Sequence, residues 1–192
     1  MRTLRSSIVQ IFRRFLRLES GVAAVEFALI MPIMLSLYLG CSEAAALLTA
    51  DRKVQSVAGA IGDLTARANE TIARAQLEDY FLAATSIMNP YNTADLVQTI
   101  TAVSVSSVGE ATVLWSVRYA NGTFAGTVPE HPVGKPYNLP AEMIDIAKGQ
   151  TVIAAEAEYS YRPLLGIVFK EQLDLHRSAL FMPRFGGAIN LS

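Results

Sequence analysis

Glu26 is the only charge in the run Val22–Gly40, VAAVEFALIMPIMLSLYLG. A carboxylate at the centre of a bilayer costs on the order of 2.5–3.5 kcal/mol, so one held inside an apolar run needs a nearby interface or a positive partner. It stands five positions after Gly21 and directly before Phe27. The other polar constellations are sparse. His131 lies in Pro-flanked loop sequence. Asp174, His176 and Ser178 are spaced by two, on one face of a predicted strand. Side by side they cannot take the base, orienter and nucleophile positions of a triad. Glu156 and Glu158 also share a strand face, read as the solvated one. One cysteine, Cys41, and two histidines give no cysteine-rich zinc set and no disulfide framework. No phosphate-cradling glycine loop is present. These residues predict no enzyme, no metal and no cofactor.

The charges show what surrounds Glu26. Residues 1–21 carry five arginines, Arg2, Arg5, Arg13, Arg14 and Arg17, against Glu19, or +4. The remainder holds eleven basic and sixteen acidic residues, or −5, for a total of −1. A net charge so close to zero argues against a nucleic-acid partner. Charged residues make up 17% of the chain and hydrophobic ones 52%, against roughly 25% charged in an ordinary soluble domain. No Lys or Arg occurs between Arg17 and Arg52. About 20 apolar residues at ~1.5 Å each span ~30 Å, the hydrocarbon thickness of a bilayer. A basic flank before the span and none directly after it predict a cytoplasmic N-terminus. The transmembrane segment is thus read over 22–42, through Val22, Pro32 and Gly40. Three other readings compete: a buried core helix, a secretory signal peptide, and lipoprotein processing at Cys41.

The string Gly21-Val22-Ala23-Ala24-Val25-Glu26-Phe27 resembles a type IV prepilin processing site. That resemblance implies cleavage after Gly21 by a prepilin peptidase, with Val22 as the first mature residue and Glu26 as the fifth. Cleavage would remove the +4 leader and create an α-amine at Val22. Among packed apolar helices that amine needs a counter-charge, and Glu26 of a neighbouring subunit can supply it and set the axial register. Removing one partner of a buried pair costs ~3–5 kcal/mol. From Ser20 to Gly40 the sequence is similar to the N-terminal signature of the TadE-like proteins, pseudopilins of the tight-adherence (Flp) pilus system. Softer similarities follow at residues 51–64 (DRKVQSVAGAIGDL), 85–91 (TSIMNPY), Trp115-Ser116, Ala157 to Leu164 and Met182-Pro183-Arg184.

Beyond the span, Glu43 to about Ala84 lacks proline. Val54, Val57, Ile61, Leu64, Ala68, Ile72 and Ala75 repeat at helical steps and predict an amphipathic helix. Gly59 and Gly62 each cost ~1 kcal/mol relative to Ala in a helix, and allow a bend or a close approach. Pro32 predicts a kink. Asn89-Pro90-Tyr91-Asn92 closes the helical region. Alternating β-branched runs predict strands over Leu96–Ser106 and Ala111–Tyr119, joined as a hairpin, and over Thr151–Tyr161 and Gln172–Met182, a second pair. Asn121–Pro140 reads as loop and Pro140–Ala147 as a short helix.

The expected organisation is a basic cytoplasmic leader (1–21), a transmembrane helix (22–42), an amphipathic helical extension (43–88) and an extracytoplasmic β-rich domain (89–192). The fold class is α+β, with a long N-terminal helix packed on a small antiparallel sheet, a pilin-like plan. The resemblance implies a single-pass bacterial inner-membrane pseudopilin for assembly of Tad/Flp pili. Its implied partners are prepilin peptidase, other pilins or pseudopilins, the inner-membrane Tad machinery and the lipid bilayer. No small-molecule substrate is implied. An unprocessed single-pass assembly or scaffold factor of the same machine is the alternative.

Overall fold

In the computed structural model, residues 19–163, 166 and 168–192 are described; the basic leader up to residue 18, and Leu164 of the softer similarities, lie outside them. A single helix, α1 (Glu19–Ala66), carries both the apolar span and the start of the amphipathic stretch. Pro32 is accommodated inside it. Proline lacks an N–H and leaves the carbonyl of Ala28 without its helical donor, while the hydroxyl of Ser36 donates to the Pro32 carbonyl at 2.8 Å.

Helix α1 ends at Ala66, and this corrects the expectation of helix to Ala84. The chain tightens through Ala68 N–H to Thr65 O at 3.0 Å and turns at Glu70, whose φ is +61°. Thr71–Ile72 is strand β1, paired in parallel with the C-terminal β7 (Asn190–Leu191). Helix α2 (Arg74–Thr85) follows, with a 3₁₀ turn at Ser86–Met88. The predicted apolar face therefore holds through Val54, Val57 and Ile61. Ile72 is buried from β1 instead, and Ala75 is exposed.

The main sheet is antiparallel, in the order β4-β3-β2-β5-β6. It comprises β2 (Leu96–Val105), β3 (Ala111–Ala120), β4 (Thr123–Ala125), β5 (Thr151–Tyr161) and β6 (Leu173–Phe181). Both expected pairs are present, β2–β3 and β5–β6, and they join through β2 and β5. The loop expected over Asn121–Pro140 contains β4, and the short helix α3 covers Ala141–Ala147.

The core lies between helix and sheet. Val54, Val57 and Ile61 of α1 and Phe81 of α2 meet Ile100, Val117, Ile153 and Ala155. Small residues on β5 let α1 come close: a Cβ on Gly62 would stand 2.9 Å from the Ala155 Cβ and about 2.4 Å from the Phe181 ring. Gly62 thus serves close approach, whereas Gly59 has open space around it. The opposite face of the sheet carries a smaller cluster, Val103, Val105, Ala111 and Val152 under Leu139 and Ala147.

Candidate functional site

The residues singled out from the sequence lie at the start of α1. Every residue from Val22 to Tyr38 is exposed, including Glu26, with Val22 at 55% and Phe27 at 66%. Val22 and Glu26 are one turn apart and share a side of the helix, as i and i+4 positions do. The bond after Gly21 is inside the helix, one turn from its start. From Gly21 to Gly40 a straight helix rises ~29 Å. Among the described residues one helix is long and apolar enough to cross a membrane, and none of the described residues covers its apolar stretch. Glu26 is therefore a lone carboxylate on a bare apolar rod.

The stretches with softer similarity fasten the second half of α1, the sheet and the segments beside them to one another. Asp51 pairs with Arg177 at 2.7 Å, and Lys53 Nζ donates to Ile87 O at 2.8 Å. Tyr91 donates its hydroxyl to Ala46 O at 3.0 Å, and the Trp115 indole N–H donates to Ile189 O at 2.6 Å. Arg184 donates its backbone N–H to Ala66 O at 2.9 Å, and its guanidinium reaches Asp63. Hydrogen bonds from Arg67 and Arg184 hold the Asp63 carboxyl below the ordinary carboxylate range.

The polar groups of the sheet are held by one another. His131 Nε2 lies 2.8 Å from Glu156 Oε2, and the Tyr137 hydroxyl donates to Glu156 Oε1 at 3.2 Å. Burial, with the Glu156 charge, raises the Tyr137 phenol well above its ordinary range. Arg118 pairs with Glu130 at 2.9 Å and helps hold its carboxyl low, after a bond from Glu130's own backbone. These bonds fasten the segment 126–140 over the outer face of the sheet. The shared solvated face expected for Glu156 and Glu158 is corrected accordingly. The Glu156 side chain is 15% exposed and that of Glu158 54%. Asp174 accepts from Ser160 at 2.7 Å, and His176 Nδ1 lies 3.5 Å from Glu158. Asp174 and His176 thus each face a residue on β5. No group of three or more metal-ligating side chains gathers among the described residues, and Cys41 is exposed.

Sequence reasoning missed Glu43. It is 3% exposed, and its carboxylate accepts backbone N–H groups from Gly166 at 2.8 Å, Val168 at 2.7 Å and Phe169 at 3.4 Å. The available signal was an acid three positions past the apolar run Val22–Gly40 together with the apolar stretch PLLGIVF between Arg162 and Lys170.

The start of α1 can now be compared with known proteins. Residues 21–61 match the family model described as TadE-like protein. The match covers the bare half of α1, Glu26 included, and most of the half that packs on the sheet. No curated protein and no solved structure matches the chain. The TadE-like segment associates the chain with the Tad pilus. Together with the apolar helix it fits a membrane-anchored protein.

Proposed function

We propose that this TadE-like chain is a pseudopilin subunit for the assembly of Tad/Flp-type pili, a structural component and not an enzyme. Helix α1 anchors it in the bacterial inner membrane, with the N-terminus cytoplasmic and the sheet domain periplasmic. A prepilin peptidase cuts after Gly21, and the mature chain packs through its exposed apolar helix against other pilins or pseudopilins. The observation that carries this reading is the matched segment itself, in which Glu26 is the sole charge on a helix half that none of the described residues covers. In a bundle of such helices the Val22 ammonium and a neighbour's Glu26 neutralise each other, and the pair fixes the register.

Mass spectrometry of the chain co-expressed with its prepilin peptidase tests the processing step. The expected product begins at Val22, and Gly21→Ala blocks its formation. An intact N-terminus in the unaltered chain removes this reading. The second reading, an unprocessed membrane scaffold, draws on α1 running unbroken through Gly21, since cleavage requires the first turn to unwind. Glu26→Ala separates the two. A pseudopilin loses assembly while still inserting, and a passive anchor tolerates the change. Fractionating sheared filaments from membranes then shows where the mature chain resides.

A further inference from the structure

The register of the sheet fixes which of its ends faces the apolar half of α1. Ala155 lies beside Gly62, near the far end of α1, whereas Tyr161 lines a cleft with Ala46. Strand β5 therefore runs towards the apolar span, and the β5–β6 connection leaves it at the level of Gly40 to Glu43. A Cβ on Gly40, the last residue of the apolar run, would stand 3.2 Å from Val168 Cγ2. The bonds from Gly166 and Val168 N–H to the buried Glu43 carboxylate hold the connection there.

Glu43 is ~4.5 Å along the helix from Gly40. The headgroup zone on each side of a bilayer is ~5–8 Å thick, so Gly166, Val168 and Phe169 are pinned within that zone. Its side chains suit the place. Between Arg162 and Lys170 the sequence reads PLLGIVF, without a polar side chain. Val168 is 54% exposed, while Arg162 and Lys170, both exposed, flank the run. Long basic side chains at such a boundary keep their charge at the headgroups and their stems in apolar surroundings.

We propose that the β5–β6 connection, around Val168 and Phe169, is a second membrane contact of this chain, lying in the headgroup–acyl boundary beside α1. It rests on the reading of α1 as a membrane span. With two contacts instead of one, the domain has a fixed tilt on the bilayer surface before it joins any assembly.

Depth-dependent quenching tests it on the full chain carrying Cys41→Ser, in vesicles of phosphatidylcholine and phosphatidylglycerol. An environment-sensitive fluorophore is placed by Leu35→Cys, Val168→Cys, Lys170→Cys or Val133→Cys, one at a time. Nitroxides are carried near the top or near the middle of the lipid acyl chains. The expected result is strong loss of emission at 168 and 170 with the shallow nitroxide, less with the deep one, and none at 133 with either. The label at 35 loses emission with the deep one. If 168 and 170 behave like 133 while 35 is quenched, α1 spans and the proposal is overturned, whatever protein covers the loop. If 35 is also unquenched, the membrane reading fails and the proposal with it. Agreement between 168 and 170 guards against damage by a single substitution.

Discussion

The two halves of α1 belong to one continuous helix but differ in pattern and in surroundings. From Val22 to Tyr38 the helix is apolar all round except at Glu26 and Ser36, and all of it is exposed. From Ala50 to Ala66 the apolar residues form one stripe; Val54, Val57 and Ile61 are fully buried on it, while Arg52, Gln55 and Ser56 face solvent. An apolar stripe is satisfied by one sheet face, whereas a helix that is apolar all round needs apolar surroundings on every side. The sheet serves the upper half, and none of the described residues covers the lower half.

Substitution on the two halves gives the largest contrast. Ile61→Ala opens a void against the sheet, and a buried Ile→Ala costs ~2–5 kcal/mol. Ile33, 65% exposed, has no such neighbours, and Ile33→Ala leaves the domain's unfolding midpoint where it was. Thermal unfolding of the full chain in detergent, followed by Trp115 fluorescence, reads both. Equal losses would break the comparison.

The two glutamates sharpen it further. Glu43 is built into the fold, and Glu26 is exposed on the apolar half of α1. Glu43→Ala strips the acceptor from the Gly166 and Val168 N–H groups, and hydrogen bonds to a charged group are worth ~1.5–3 kcal/mol each. The expected loss is roughly 3 kcal/mol, allowing for water that replaces part of the lost bonding. Limited proteolysis should then cut first between Arg162 and Lys170. Glu26→Ala should change neither the midpoint nor the cleavage pattern.

The elements that follow a local period were legible from the sequence. The span, the stripe at Val54, Val57 and Ile61, and the four long strands each repeat at a spacing that their own residues display. The end of α1 at Ala66 was not legible, because it is set across the chain. Glu70 O accepts from Asn190 N–H at 2.8 Å, and Ile72 O from Ser192 N–H at 3.0 Å, so the last residues decide that 71–72 is strand. Glu43 looked like an ordinary helical residue because its partners come from well over a hundred positions away. Glu156 looked solvated because His131 and Tyr137, which cover it, arrive from a Pro-rich loop without a period. The start of α1 stands out in the sequence because a glycine and a carboxylate in an apolar run lie within seven consecutive residues, and the family match falls on the same stretch.

The glycines of the upper half give a smaller effect of both signs. Gly62→Ala gains helix propensity of ~1 kcal/mol but drives a methyl into the Ala155 Cβ and the Phe181 ring. Overpacking costs ~1–3 kcal/mol, so a net loss of about 1 kcal/mol is expected. Gly59→Ala meets nothing and should stabilise by up to ~1 kcal/mol. Denaturant midpoints of the two variants should move in opposite directions. A gain from Gly62→Ala would mean that α1 does not lie as close to β5 as described.

Acid gives the smallest effect, at the far end of α1. Asp63 is held by Arg67 and by Arg184, which joins the helix terminus to the segment after β6. Its folded pKa lies below its ordinary value, through the Arg67 and Arg184 hydrogen bonds. A carboxylate so shifted contributes stability above its unfolded pKa of ~3.9 and loses it as the pH falls through the lower folded value. The pair is partly open to solvent, so screening keeps the contribution below about 1 kcal/mol. Asp63→Asn should therefore lower the unfolding midpoint slightly at neutral pH, and the difference from the unaltered chain should shrink as the pH is taken below about 4. Because Glu26 and the bare half of α1 take no part in this link, adding Glu26→Ala should leave that pH dependence unchanged. A shift with Glu26→Ala would show that the two halves of the helix are energetically coupled, against the division drawn above.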